Sequence, residues 1–176
     1  DMSNCHPRIR ANNWKTRTLI VAGNFNLTNV DELFDKLVNL GQFPREMSDT
    51  MTVLEKIGHF LDAENQRLFK KFKQRGMSNT DITPLIENEL NVIDVLRNAA
   101  DDFDGGYAMA GMIGHGDAFV MRDPNGIRPA FFYKDDEVVV VASERPAIQT
   151  TFNIHRNKIQ ELKPGHALII KKDGSV

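Results

Sequence analysis

The sequence predicts an α+β fold in which helices come first and a largely antiparallel sheet follows, covered on both faces. Three observations carry this. Apolar residues recur at three- and four-residue steps from about residue 30 to residue 99. After Asp101 the period changes to two, or to solid apolar runs joined by short polar breaks. Two of those runs, 107–113 and 138–141, are apolar on both sides, which requires cover above and below the sheet.

The elements follow in order. Residues 1–16 read as an irregular arm, with Pro7, the basic residues Arg8, Arg10 and Lys15, and no apolar period. Leu19, Ile20, Val21 and Ala22, ended by Gly23, have the character of a short buried strand. The polar cluster Asn24, Asn26, Thr28 and Asn29 turns or caps, and Asn29 is the candidate N-cap of a helix over 30–40. Val30, Leu33, Phe34, Leu37 and Leu40 share one face of that helix. Ser48 or Asp49 opens a longer helix running towards Arg75, with Lys70, Lys71, Lys73 and Arg75 in its last turns and Gly76 as its stop. A third helix is predicted over 81–99, with Pro84 confining where it starts. Strands are expected at 106–114, 118–121, 130–133, 138–142 and 167–170, with hairpin breaks at 114–117 and 134–137.

The chain has 176 residues, 41% hydrophobic and 26% charged, with a formal charge of −2. That suits one globular domain and gives no electrostatic case for nucleic acid or an anionic membrane. The longest apolar run, Val138–Ala142, is far short of the roughly 20 residues of a membrane span. A single cysteine, Cys5, rules out an internal disulfide, and no apolar secretion signal opens the chain, so a cytoplasmic setting is expected. The histidines at 6, 59, 115, 155 and 166 lack metal-ligand spacing, so no metal is expected. Ser143-Glu144 lacks the glycine pattern of a nucleophile elbow, and the carboxylate pairs Asp101-Asp102 and Asp135-Asp136 read as solvated turns.

Two segments are richer. Gly23-Asn24-Phe25-Asn26-Leu27-Thr28-Asn29 lies where a strand gives way to a helix, and polar side chains with free N–H groups there can hold an oxyanion; plain turn-and-cap chemistry fits it too. Arg122-Asp123-Pro124-Asn125-Gly126-Ile127-Arg128-Pro129 is a type I turn whose arginines can bind an anion, although beside a tight turn they more often bond to backbone and carboxylates.

Those segments, in that order and with Ser48-Asp49-Thr50 between them, resemble the glutamine-hydrolysing domain of the amidophosphoribosyltransferases, class II (N-terminal nucleophile) glutamine amidotransferases of purine synthesis. The family junction His-Asn-Gly-Asn-Leu-Thr-Asn is matched by 23–29, its Arg-Asp-Pro-x-Gly-Ile-Arg-Pro turn by 122–129, its Ala-Ser-Glu strand end by Ala142-Ser143-Glu144, and its Lys-Pro-Gly turn by Lys163-Pro164-Gly165. The resemblance implies a four-layer α-β-β-α sandwich, with residues 17–176 as the later part of the domain. It implies that Asn24 and the backbone of Phe25 form the oxyanion region and that Asp49 binds the α-amino group of glutamine. Arg122, Asp123, Gly126, Arg128, Ser143 and Glu144 would be scaffold near the site.

The departures set further expectations. The family nucleophile is an N-terminal cysteine whose own amine is the base; residue 1 here is Asp, and Cys5-His6-Pro7 does not resemble that segment. The Arg-Tyr-Ser-Thr segment that holds the substrate carboxylate and the phosphoribosyl-diphosphate signature are not in the sequence. The expected reading is a partial glutaminase domain, incomplete at the N-terminus and inactive alone. Its partners would be glutamine, a transferase domain in the same polypeptide and a second copy in a homo-oligomer. It would need no cofactor of its own, any Mg belonging to the transferase domain. Phe25 stands where the family has glycine, and a phenylalanine held at positive φ would be strained. Two competing readings remain open: a non-catalytic ligand-sensing or interaction module of the same fold, and the glutaminase domain of another class II enzyme such as glucosamine-6-phosphate synthase or a glutamate synthase.

Overall fold

A computed structural model describes residues 7–176. The chain opens with β1 (Arg8–Arg10), a 3₁₀ turn (Lys15–Arg17) and β2 (Leu19–Leu27). Four helices follow: α1 (Val30–Asn39), α2 (Asp49–Gln74), α3 (Asn79–Glu89) and α4 (Val92–Ala100). Then come β3 (Gly105–Ile113), β4 (Ala118–Arg122), β5 (Phe131–Lys134), β6 (Val139–Ala142), α5 (Arg145–Phe152), β7 (Gln160–Glu161) and β8 (Ala167–Ile170). Every strand pair is antiparallel, and they form two sheets, β1-β2-β3-β4-β8 and β6-β5-β7.

Side-chain alternation along the strands makes the layers. Leu19 and Val21 of β2 and Tyr107, Met109 and Ile113 of β3 face the helices, where they pack with Leu54, Ile57 and Leu61 of α2 and Ile82 and Leu96 behind. Val120, Ala130 and Leu162 pack with Ala108 and Leu168 between the two sheets. Tyr133, Ile148 and Ile159 fill the space between the smaller sheet and α5. Three cores separating four layers make the α-β-β-α sandwich. Burial of each large aliphatic side chain at the helix interface contributes about 1.5–3 kcal/mol. Cover is closer on the helix side than between the sheets, where Ile20 is 36% and Met112 53% exposed.

Several local expectations are corrected. Part of the irregular arm is a strand: Arg8–Arg10 pairs with Leu19–Val21, and Arg10 lies across α2 to reach Glu55 and Asp62. Gly58 leaves the room it needs, since a Cβ there would stand 2.6 Å from Arg10 Cδ. The strand predicted to end at Gly23 runs on to Leu27 in register with Gly105–Ile113. Its polar residues were misleading because Asn24 and Asn26 are exposed on the open inter-sheet side. Asn29 stands at the N-cap position of α1 as expected, but its side chain does not cap the helix; it donates to Asp102 O and accepts from Asp104 N, tying β2 to the α4–β3 junction. The predicted third helix is two helices, because Asn91 accepts the Asp94 N–H and starts α4 afresh. Asp102 is no solvated turn residue: it pairs with both Lys36 and Lys56. Helix α5 and the two-residue β7 had no counterpart in the expected elements.

Candidate functional site

The N–H groups of β2 point alternately to its two neighbours. Thr28 N–H donates towards the β3 side, to Asp104 O, so the odd-numbered residues face the opposite edge. β1 covers that edge only at Leu19–Val21, and among the described residues no strand lies beside Gly23–Leu27 there. Leu27 N–H on this open edge donates to Asp49 Oδ2 at 3.0 Å. Phe25 N–H, two residues or about 7 Å back along the strand, points the same way.

Asp49 owes its place to the start of α2. Ser48 caps the helix by accepting Met51 N–H, and Asp49 is the first helical residue, where the helix dipole favours a carboxylate. Phe25 is unstrained: among the described residues only Asn153, apart from glycines, has positive φ. Its ring turns to the helix side and packs against the main core.

Asn24 projects from the other face of β2, between the sheets. There it lines a cavity of about 550 Å³ together with Ala108, Arg128, Ser143 and Glu144. The structure thus gathers Asn24 with three residues expected to be scaffold. It sets Asp49 apart, on the strand edge rather than in this cavity.

The turn after β4 is built around Asp123, which is fully buried. Its Oδ1 accepts Asn125 N–H and Ile127 N–H, and its Oδ2 accepts Arg128 N–H at 2.9 Å. Burial by itself would push this carboxyl up, but the backbone donors of Arg128 and Ile127 outweigh it and hold Asp123 below the usual carboxylate range. Gly126 adopts φ 67°, which favours glycine. Arg122 is spent inside the scaffold, donating to Arg128 O, Gly126 O, Leu162 O and Glu161 Oε1. Arg128 is different: its Nε is buried with no hydrogen-bond partner, and no carboxylate pairs with it among the described residues.

Both arginines are expected to be scaffold, and no signal in the turn's sequence distinguishes them. A buried cluster in the β3–β4 turn has no counterpart among the expected site residues: His115 Nε2 stands 3.1 Å from Asp117 Oδ2, and Lys171 pairs with the same carboxylate. The glycines flanking His115 in Gly114-His115-Gly116-Asp117 were the available hint. Cys5 and His6 lie outside the described residues. Among the described residues no group of three or more His, Cys, Asp or Glu is placed to hold a metal ion, and no helix is long and apolar enough to cross a membrane.

Comparison with known proteins gives the family and the fold. A family model described as a glutamine amidotransferase domain matches residues 62–150, half of the chain, including the 122–129 turn and Ser143-Glu144. An amidophosphoribosyltransferase of Lachancea kluyveri is 35% identical over 91 residues, covering 49% of this chain and 17% of that protein. One from Pasteurella multocida (strain Pm70) is 28% identical over 164 residues, covering 90% of this chain and 28% of that protein. Among solved structures, the glutamine phosphoribosylpyrophosphate amidotransferase of B. subtilis complexed with ADP and GMP superposes with a TM-score of 0.64 at 25% identity. That match covers 97% of this chain and 30% of the other. The chain spans less than a third of the length of these proteins.

Proposed function

Since this chain belongs to the glutamine amidotransferase domain family, we propose that it forms part of the site where an amidophosphoribosyltransferase-like enzyme of purine biosynthesis hydrolyses glutamine to supply ammonia. The observation that carries this reading is the meeting, at one end of β2, of Asn24 facing the inter-sheet cavity and Phe25 N–H on the open edge beside Asp49.

The chemistry follows from that corner. A cysteine thiolate supplied by a segment before residue 1 attacks the amide carbon of glutamine, and the carbonyl oxygen becomes an oxyanion. The Asn24 side-chain amide and the Phe25 N–H donate to it. Asp49, whose Oδ1 is not used by Leu27, holds the α-ammonium further along the edge. The cysteine's own α-amine, having taken the thiol proton, gives it to the leaving nitrogen, the carbon–nitrogen bond breaks, ammonia leaves, and water hydrolyses the thioester to release glutamate and restore the thiol. Ammonia then passes to a transferase domain of the same polypeptide.

Sequencing the N-terminus of the native polypeptide and measuring glutamate release tests this. A longer polypeptide that begins with cysteine, releases glutamate and is silenced by thiol alkylation is expected. Residues 1–176 alone are expected to release none above a heat-killed control. A native polypeptide that leaves glutamine intact overturns the reading. It would favour a non-catalytic binding module instead, the reading to which Phe25 at the family's glycine position points.

A further inference from the structure

We propose that Arg128 reads the charge at the reacting end of this site. Its guanidinium takes the anionic oxygen of the intermediate, and afterwards the new γ-carboxylate of glutamate, in the cavity that Asn24 also lines. This rests on the glutaminase reading above and adds to it a residue and a ligand preference.

The turn provides a rigid base for the side chain. Arg128 N–H donates to Asp123 Oδ2 at 2.9 Å, and Arg128 O accepts Arg122 Nε at 2.6 Å. Two arginines leave the same turn with opposite fates. Arg122 is 5% exposed and holds four acceptors, whereas Arg128 lines the cavity and its side chain makes no hydrogen bond or ion pair among the described residues. A guanidinium that lines a cavity with no carboxylate paired to it is free to take a ligand anion.

The preference follows from charge. A guanidinium fork gains little from a neutral amide but pairs in bidentate fashion with a carboxylate or oxyanion. Attack on the amide develops negative charge on its oxygen, so Arg128 binds the oxyanion-like transition state more tightly than the neutral substrate, which is the condition for accelerating the step, and the product carboxylate shares that preference. Glu144 lines the same cavity, is exposed and does not pair with Arg128 among the described residues, so its charge opposes anion binding.

Calorimetric titration of the chain with L-glutamate and with L-glutamine reads this out. Glutamate is expected to bind about tenfold more tightly, a ratio of the size one charge-assisted pair supplies. R128Q removes the preference, R128K keeps part of it because the charge stays while the fork is lost, and E144Q enlarges it. In the native polypeptide R128Q lowers kcat about tenfold or more and leaves KM for glutamine nearly unchanged. An undiminished preference in R128Q, or no glutamate binding by the wild-type chain, overturns the proposal. Unchanged R128Q kinetics in an active polypeptide overturn it while the glutaminase reading stands. A native polypeptide without glutaminase activity overturns that reading, and the proposal with it. Because the Arg128 side chain holds no partner among the described residues, R128Q should unfold at the wild-type temperature; if it does not, R128K decides.

Discussion

The ring of Phe25 occupies the space that a side chain on Gly23 would need. A Cβ at residue 23 would lie 2.7 Å from Phe25 Cζ, 2.7 Å from Ala108 O and 2.9 Å from Met109 Cβ. The two residues are neighbours on one face of β2, so the glycine and the aromatic are one packing choice, the reverse of the His-x-Gly order that the family junction shows. G23A is expected to destabilise by about 1–3 kcal/mol through overpacking. Adding F25G should relieve part of that, because one obstruction is the ring while another is the Ala108 backbone. A double-mutant cycle by urea unfolding should give a coupling of about 0.5 kcal/mol or more, and strict additivity would sever the link.

Asp123 joins scaffold to site. D123A leaves the N–H groups of Asn125, Ile127 and Arg128 without their acceptor, at a cost of about 1–3 kcal/mol. It also frees the base of Arg128, so glutamate affinity should fall with stability. The folded carboxyl sits below its ordinary value, so its contribution is complete above the unfolded value near pH 4 and is lost as pH falls through the folded one. Acid titration of the urea midpoint should therefore fall less steeply below pH 4 in D123A, and identical slopes would contradict the assignment.

Lys56 is 8% exposed beneath α4, paired with Asp102, with Phe103 5.4 Å from its ammonium. Burial first, and the charge of Lys36 second, bring it down from 10.5 to about 8. Between that value and the unfolded one, the unfolded chain binds more protons, so stability rises with pH across the window. K56M should flatten the rise between pH 8 and pH 10 in thermal unfolding. It should cost little at pH 7.5, since Asp102 keeps Lys36 at 3.1 Å.

How much was legible depended on whether a local rule decided the outcome. Helix α2 could be read to its ends because Ser48 and Gly76 are local signals, the glycine at φ 78°. The break at Asn91 was hidden, since Leu90 and Ile93 keep the helical spacing while a single side-chain cap restarts the helix. Gly23–Leu27 looked like a turn because strand pairing with Gly105–Ile113 is a long-range fact and its polar face meets an open cavity. The candidate site residues stand out in the sequence by motif order alone, which does not show that Asn24, Arg128, Ser143 and Glu144 share a cavity while Asp49 lies on the strand edge. What separates Arg122 from Arg128 is the third dimension alone: one side chain bonds to carbonyls of its own turn and of Leu162, the other lines the inter-sheet cavity without such bonds among the described residues.

His115 carries the last prediction. Its side chain is fully buried, neither ring nitrogen makes a well-directed hydrogen bond, and Asp117, Lys171 and Glu87 are the charges around it. Burial dominates and lowers its pKa, with Lys171 helping and the carboxylates of Asp117 and Glu87 opposing. The folded state therefore favours the neutral ring. That contribution is whole above the unfolded value of about 6.5 and is lost as pH falls through the folded value. Asp117 is itself held below its ordinary range, so its own loss belongs to a more acidic window. Between pH 7.5 and pH 5 the wild-type urea midpoint should fall, and H115Q, which has no proton to take up, should fall less. If the two lose stability in parallel, the buried imidazole is not the group that makes this fold sensitive to mild acid.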